Sequence, residues 1–345
     1  MIRIGIVGCG YWGPTLARAF TETSALQVVS VCDVNPQRLA ALQRRYPSLR
    51  ATTSYQEMLA SPDLDAIAVA TPVATHFDLA LAALRSSRHV WVEKPLADNA
   101  QDAARLVEEA SRRGLTLMVD HPFVHSSAVR KIGELIRSGE IGDLYYYDSV
   151  RINLGHFQPD VSVLWDLAAH DLSILDYLMC RAPAAVSATG ARHVRGRAHN
   201  IAYLTLFYDD GMLAHVHVNW LAPLKVRRTL IGGSSRLIVY DELDPGEKVK
   251  IYDRGVARDG NDAESRELRI GYRTGDMWAP RLDVRDTIEA AAAHFAQCIA
   301  EGKAPLSDGA SGLRVVRQLE AATQSLEANG RPVELDLNEP MEPPR

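Results

Sequence analysis

Arg3-Ile4-Gly5-Ile6-Val7, followed at once by Gly8-Cys9-Gly10-Tyr11-Trp12-Gly13, is the stretch that decides the fold. The first run is apolar and of strand length. The second is a G-x-G-x-x-G turn that opens a helical pattern from Thr15 to Thr23. Between a strand and a helix, such glycines let the backbone approach a pyrophosphate, and the helix N-terminus supplies free N–H groups and partial positive charge. A plain strand-to-helix turn is the alternative. Asp33 argues against it. It stands twenty positions past Gly13, after the strand-like run Leu26 to Cys32. A carboxylate there accepts hydrogen bonds from ribose hydroxyls and repels a 2′-phosphate, which favours NAD over NADP. Arg38 can offset a phosphate, but it also reads as an ordinary solvated helix residue.

Outward from this turn, strand and helix signals alternate. Strands are expected at 26–32, 66–70, 89–92 and 115–119, and helices at 36–46, 78–84 and 99–113. This alternation predicts a doubly wound parallel sheet, an α/β Rossmann domain over residues 1–120. Beyond it the texture changes. A helix at 127–138 and a longer one at 165–179 are followed by strand-like runs joined by short turns such as Asp209-Asp210-Gly211. These predict a second domain, α+β, over 121–337, with a large, open-faced, mostly antiparallel sheet. Residues 241–282 are charged and irregular and read as a long loop. Two helices, at 284–301 and 309–328, close the chain, and 338–345 reads as a flexible tail.

Composition narrows the classes. The formal net charge is −5, and apolar residues make up 47% of 345. Nothing here attracts nucleic acid or an anionic membrane surface. No run approaches the apolar length of a membrane span, and the N-terminus enters a strand directly, so a cytoplasmic protein is expected. Cys9, Cys32, Cys180 and Cys298 form no CxxC pair, and no metal site is expected. His215 and His217 share a strand face and read as sheet histidines rather than metal ligands.

Three places carry chemistry. Ala70-Thr71-Pro72 ends an apolar strand, where ligands of open α/β sheets sit, so Thr71 and Pro72 are placed to line the cofactor. His76 either caps the next helix or touches the cofactor. Glu93-Lys94-Pro95 ends another such strand. Pro95 restricts Lys94 to an extended conformation, and an ammonium held so can stabilise alkoxide character on a substrate oxygen. A surface Glu-Lys turn fits the same residues. Asp166 and His170, four apart on a helix, can form an orienting carboxylate and an acid/base imidazole, or a simple helix-stabilising pair. An apolar stripe of Leu167, Ile174 and Leu178 leaves that polar pair off the expected packing face.

Taken together, these residues resemble the Gfo/Idh/MocA family of NAD(P)-dependent oxidoreductases, and Glu93-Lys94-Pro95 is the most specific element. The resemblance implies hydride transfer between nicotinamide and a ring carbon bearing a hydroxyl or ketone. Lys94 would contact the reacting oxygen, His170 would be the acid/base, and Asp166 would lie against substrate and imidazole. The glycine turn with Tyr11 and Trp12, Asp33, Thr71, Pro72, His76, Glu93 and Pro95 would hold the cofactor. Val163 to Asp171, Arg151 to Gly155 and Tyr272 to Asp276 look like the branch acting on nucleotide sugars and amino-sugar uronates, often at C3. That adds His121, Arg151, Asn153, Trp165 and Arg273 as substrate contacts, though either arginine also suits a structural ion pair. His121-Pro122-Phe123-Val124-His125-Ser126 departs from the family pattern. A cyclitol dehydrogenase, or a redox-neutral hydrolase or lyase that retains NAD, is the alternative. A homodimer or homotetramer through the open sheet is expected, with Leu204, Leu206, Val216 and Val218 seeking cover.

Overall fold

The computed structural model describes residues 1–155, 161–194, 198–258 and 270–335. Its first elements follow the alternation in the sequence: β1 (Ile2–Val7), α1 (Gly13–Glu22), β2 (Leu26–Cys32), α2 (Pro36–Arg45), β3 (Arg50–Thr52), α3 (Tyr55–Leu59), β4 (Ala66–Val69), α4 (His76–Arg85), β5 (His89–Glu93), α5 (Ala100–Arg113) and β6 (Leu117–Asp120). The strands form one parallel sheet in the order β3-β2-β1-β4-β5-β6. The order reverses between β1 and β4, and ligands of such sheets lie beyond the strand ends at this point. Ala66 to Val69 and Val90 to Val92 are fully buried, as strands covered on both faces must be. Asn35 and Asn99 cap α2 and α5 by accepting from main-chain N–H groups. β3 and α3 were not foreseen, because three and five residues are too few to show a period.

The second half holds α6 (Ser127–Arg137), β7 (Leu144–Leu154), a π-helical turn (Leu164–Ala168), α7 (Ala169–Met179), β8 (Ala185–Ala191), β9 (Ile201–Phe207), β10 (Leu213–Asn219), β11 (Leu221–Gly233), β12 (Leu237–Asp241), β13 (Val249–Tyr252), β14 (Gly255–Arg258), β15 (Ile270–Arg273) and β16 (Met277–Trp278). α8 (Thr287–Glu301), α9 (Gly309–Glu327) and β17 (Val333–Glu334) follow. A nine-stranded sheet runs β16-β13-β12-β11-β7-β10-β9-β8-β17. Its pairings are antiparallel except β7 with β10.

Four expectations change. The chain divides into Met1–Ser126 with Arg285–Glu320, and Ser127–Val284 with the described residues from Ala321 onward. The second domain is therefore not 121–337 throughout. The reason is packing: Phe295 of α8 meets Trp91 edge-on at 5.7 Å, Trp91 meets Phe20 at 5.3 Å, and Ala291, Ala292 and Ala296 join the same core. Residues 241–282 are not one loop, since β13 to β16 lie there. Val249 and Ile251 are buried between charged neighbours that hid the alternation. α7 has no solvent face: Asp171 and Asp176 are buried with its apolar residues. Leu204, Leu206, Val216 and Val218 are fully buried within the chain. The other face of the sheet carries Tyr203, Thr205, Phe207, Leu213, His215 and His217, cross-paired with Tyr146, Asp148 and Val150. Residues 338–345 lie outside the described residues.

Candidate active site

In the first unit the glycine turn is built for close approach. A Cβ on Gly8 (φ +94°) would fall 2.4 Å from the Ala70 carbonyl oxygen, and one on Gly13 would fall 2.2 Å from that of Gly8. At Gly10 the nearest atom would be Nη1 of Arg38, at 3.8 Å, so the space over its backbone is open. Helix α1 begins there with no side-chain cap and no acidic residue in its first turn. Its positive end therefore faces that space unneutralised. Tyr11 and Trp12 stand exposed beside it, packed edge to face. These features fit a dinucleotide pyrophosphate.

Asp33 is buried. Oδ2 accepts from the Cys9 N–H at 2.6 Å, Oδ1 accepts from the Asn35 N–H at 2.8 Å, and Nη1 of Arg38 is 3.8 Å from Oδ2. The carboxylate thus also ties the turn to β2. Asp33→Ala is expected to weaken NAD by roughly 10-fold or more, from the loss of charge-assisted hydrogen bonds, and to narrow the preference over NADP. Fluorescence titration of both dinucleotides checks this, and unchanged ratios would leave Asp33 a purely structural group.

Thr71 and Pro72 follow β4, and the Thr75 hydroxyl donates to Thr71 Oγ1 at 2.7 Å. His76 neither caps α4 through its side chain nor is exposed to a ligand. Its ring is buried, with Nδ1 2.8 Å from the Pro95 carbonyl and Nε2 2.8 Å from that of Thr71. It joins the loops after β4 and β5. Burial lowers its pKa despite the two carbonyls. Lys94 is half-buried at the end of β5, and the Lys94–Pro95 peptide is cis. Glu93 beside it is buried. His121 is 1% exposed, and neither ring nitrogen has a hydrogen-bond partner among the described residues. Burial and then the Lys94 charge hold its pKa down at about 3, so the ring is neutral. His125 does not share that setting: its Nε2 lies 3.1 Å from the Ser307 hydroxyl, which donates to the Val119 carbonyl.

In the second unit Asp166 lies in the π-helical turn and His170 in the first turn of α7. π turns are rare and recur at functional sites. The expected uniform α-helix from 165 is thus broken at the polar pair. Asp166 Oδ2 accepts from the Trp220 indole at 3.2 Å, and Trp165 donates to the Thr323 hydroxyl at 3.0 Å. Trp220 was missed from sequence. Its ring lies so close to Gly155 that a Cβ there would fall 2.2 Å from it, and no spacing rule links residues 155, 166 and 220.

The two arginines are not placed as clamps. Arg151 is buried, bound to Asp171 at 2.7 Å and to Glu242 at 3.2 Å, while Asp171 also accepts from Ser149 at 2.7 Å. A side chain locked in this network has no exposed guanidinium to offer. Arg151→Ala is expected to cost about 3–5 kcal/mol of stability, because Asp171 would be left buried without its cation. Thermal and urea unfolding check it, and an unchanged stability with a raised KM would restore the clamp. Asn153 is half-buried on the same strand face. Arg273 pairs with Asp253 and the Ser235 carbonyl. It lines a cleft of about 460 Å³ with Glu140, Ser234, Ser235, Arg236 and Asp253, and neither Asp166 nor His170 borders that cleft.

Among the described residues no three His, Cys, Asp or Glu side chains are grouped to hold a metal ion, and no disulfide joins the four cysteines. No described helix is long and apolar enough to cross a membrane.

Two sequence models match this chain: the oxidoreductase family with NAD-binding Rossmann fold over residues 2–121, and the GFO/IDH/MocA C-terminal domain over 129–239. This chain belongs to the Gfo/Idh/MocA oxidoreductases. As a member it is an NAD-binding oxidoreductase, which the sequence reading expected. The UDP-N-acetylglucosamine 3-dehydrogenase of Acidithiobacillus ferrooxidans is 28% identical to this oxidoreductase, covering 91% of this chain and 94% of that one. A solved structure of the enzyme of that name from the same organism superposes with a TM-score of 0.80 at 25% identity, over 95% and 98% of the two chains. The myo-inositol 2-dehydrogenase of Thermotoga maritima is 24% identical over 94% of this chain and 96% of its own.

Proposed function

We propose that this oxidoreductase moves a hydride between NAD and a ring carbon bearing a hydroxyl or ketone on a nucleotide sugar, at C3. The observation that carries the reading is the near full-length likeness to UDP-N-acetylglucosamine 3-dehydrogenase. When bound, NAD supplies the hydride acceptor or donor at its nicotinamide ring. The protein supplies orientation and proton handling. Lys94 holds the reacting oxygen and favours its alkoxide character. His170 takes the hydroxyl proton in oxidation and returns it in reduction, and Asp166, held by the Trp220 indole, orients it. Thr71 and Pro72 line the cofactor, and His121, with both ring nitrogens unpartnered among the described residues, is a neutral group for substrate or carboxamide.

NADH absorbance tests the reading. With NAD and UDP-N-acetylglucosamine, NADH is expected to accumulate. Turnover of myo-inositol alone would install the cyclitol reading, which the Thermotoga relative favours. Inertness towards every ring alcohol and ketone, with NAD still bound, would defeat both.

The oxidoreductase pairs with a second copy through the open face of the nine-stranded sheet. Tyr146, Tyr203 and Leu213 stand exposed on that face, and the Tyr203 ring stacks on His217 at 4.4 Å. Leu213→Glu is expected to shift the mass seen by light scattering towards the monomer. A monomeric wild-type chain at working concentration would count against the pairing.

A further inference from the structure

α7 is buried all round: every residue from Asp171 to Met179 is covered, so burial alone selects no face of it for the sheet. Its start is no better fixed. Ala168 gives no side-chain cap, and a π-helical turn runs directly into it. At such a junction a slip of one residue would turn every following side chain by about 100°. The first turn nevertheless carries a polar anchor. Asp171 is 1% exposed. Its Oδ1 accepts from the Ser149 hydroxyl at 2.7 Å, and its Oδ2 accepts from Arg151 Nε at 2.7 Å. Both donors stand on one face of β7, two residues apart. They are held in turn. Ser149 accepts from the Thr229 hydroxyl of β11 at 3.3 Å, and Arg151 Nη1 donates at 3.2 Å to Glu242, which also binds Arg227. Burial alone would lower the pKa of Arg151, yet Asp171 and then Glu242 hold it above the ordinary guanidinium value. A buried ion pair adds little stability over apolar residues of the same volume, and its best-attested use is to fix a register.

We propose that Asp171 is a positioning residue for the reaction: gripped by Ser149 and Arg151, it sets the register of the first turn of α7 and so aims the imidazole of His170, its neighbour in sequence. This rests on the acid/base role given to His170 above. A slip that brought His170 round to β7 would set the imidazole against the Arg151 guanidinium and strip Asp171 of its donors. The grip on the carboxylate excludes that register, which apolar packing would tolerate.

Two variants of the full chain separate positioning from stability. Arg151→Met with Asp171→Leu removes both charges and leaves Glu242 its Arg227. Its Tm should stay close to that of wild type, while hydride transfer at saturating NAD and UDP-N-acetylglucosamine falls roughly 10–10²-fold with NAD affinity unchanged. Asp171→Asn keeps the anchor, since Oδ1 still accepts from Arg151 and the amide donates to Ser149. It should lower Tm, because a buried cation loses a counter-charge, yet hold the rate within a few-fold. Stability and rate then rank the two variants in opposite order. Rate that followed stability through both would overturn the proposal. The imidazole carbon–proton resonance of His170, assigned by its loss in His170→Asn, reads the ring without turnover. It should stay in place in Asp171→Asn and shift or split in the double variant, and an unmoved resonance in both would overturn the aiming. If the double variant does not fold, Asp171→Ala replaces it, since Arg151 keeps Glu242. A rate and a resonance equal to those of Asp171→Asn would then count against the proposal, and a slower rate with a displaced resonance would support it. If UDP-N-acetylglucosamine is inert, or His170→Asn leaves hydride transfer intact, the function reading fails while the resonance still decides the register.

Discussion

Lys94→Ala is expected to slow hydride transfer by roughly 10²–10³-fold, the range for removing a charge-stabilising donor from a reacting oxygen, while NAD affinity shifts only a few-fold. β5 is buried through Glu93, so its last residues emerge where the sheet presents ligands, and Pro95 fixes the chain immediately afterwards. An ammonium there interacts more strongly with an oxygen that carries developing charge than with a neutral hydroxyl, so its loss falls on the rate rather than on ground-state binding. Single-turnover kinetics with saturating NAD, beside a titration of the dinucleotide, separate the two effects. A variant that loses NAD affinity in the same proportion as rate would make Lys94 a cofactor residue only.

His170→Asn is expected to lower the rate about 10²–10⁴-fold and to remove one limb of the pH profile. The sign depends on direction. Oxidation needs the imidazole neutral, so kcat/KM should rise with pH. Reduction needs it protonated, so the same limb should fall. In the asparagine variant both directions should run flat across that range. A limb that survives the substitution would assign the proton to another group, and His121, buried and neutral, would be the next residue to replace.

The parallel sheet was legible because its strands are short, apolar and separated by helices of clear period, and because Gly8, Gly10, Gly13 and Asp33 sit in a rigid local order. Family membership was legible for the same reason. Lys94 was legible as a charge after a buried strand. Short charged strands were not: Val249 and Ile251 of β13 alternate within residues that read as loop. The setting of Asp166 was only half legible, since the indole donor of Trp220 comes from a strand end 54 residues away and depends on the missing Cβ of Gly155. Arg151 and Asp171 show the opposite difficulty. Arg151 looks like site chemistry in sequence, and its buried pairing with Asp171 turns it into structure.

The return of α8 to the first unit bears on how the chain comes to be folded during synthesis. Ordinarily a leading domain can complete itself while the remainder is still being translated. Here Trp91 and Phe20 await Phe295, which leaves the ribosome some two hundred residues after Trp91. The half that receives the dinucleotide is begun before residues 127–284 and completed after them. A nascent chain stalled before α8 should expose an apolar seam that chaperones bind, and any graft of this Rossmann half onto a relative must carry residues 285–320 with it.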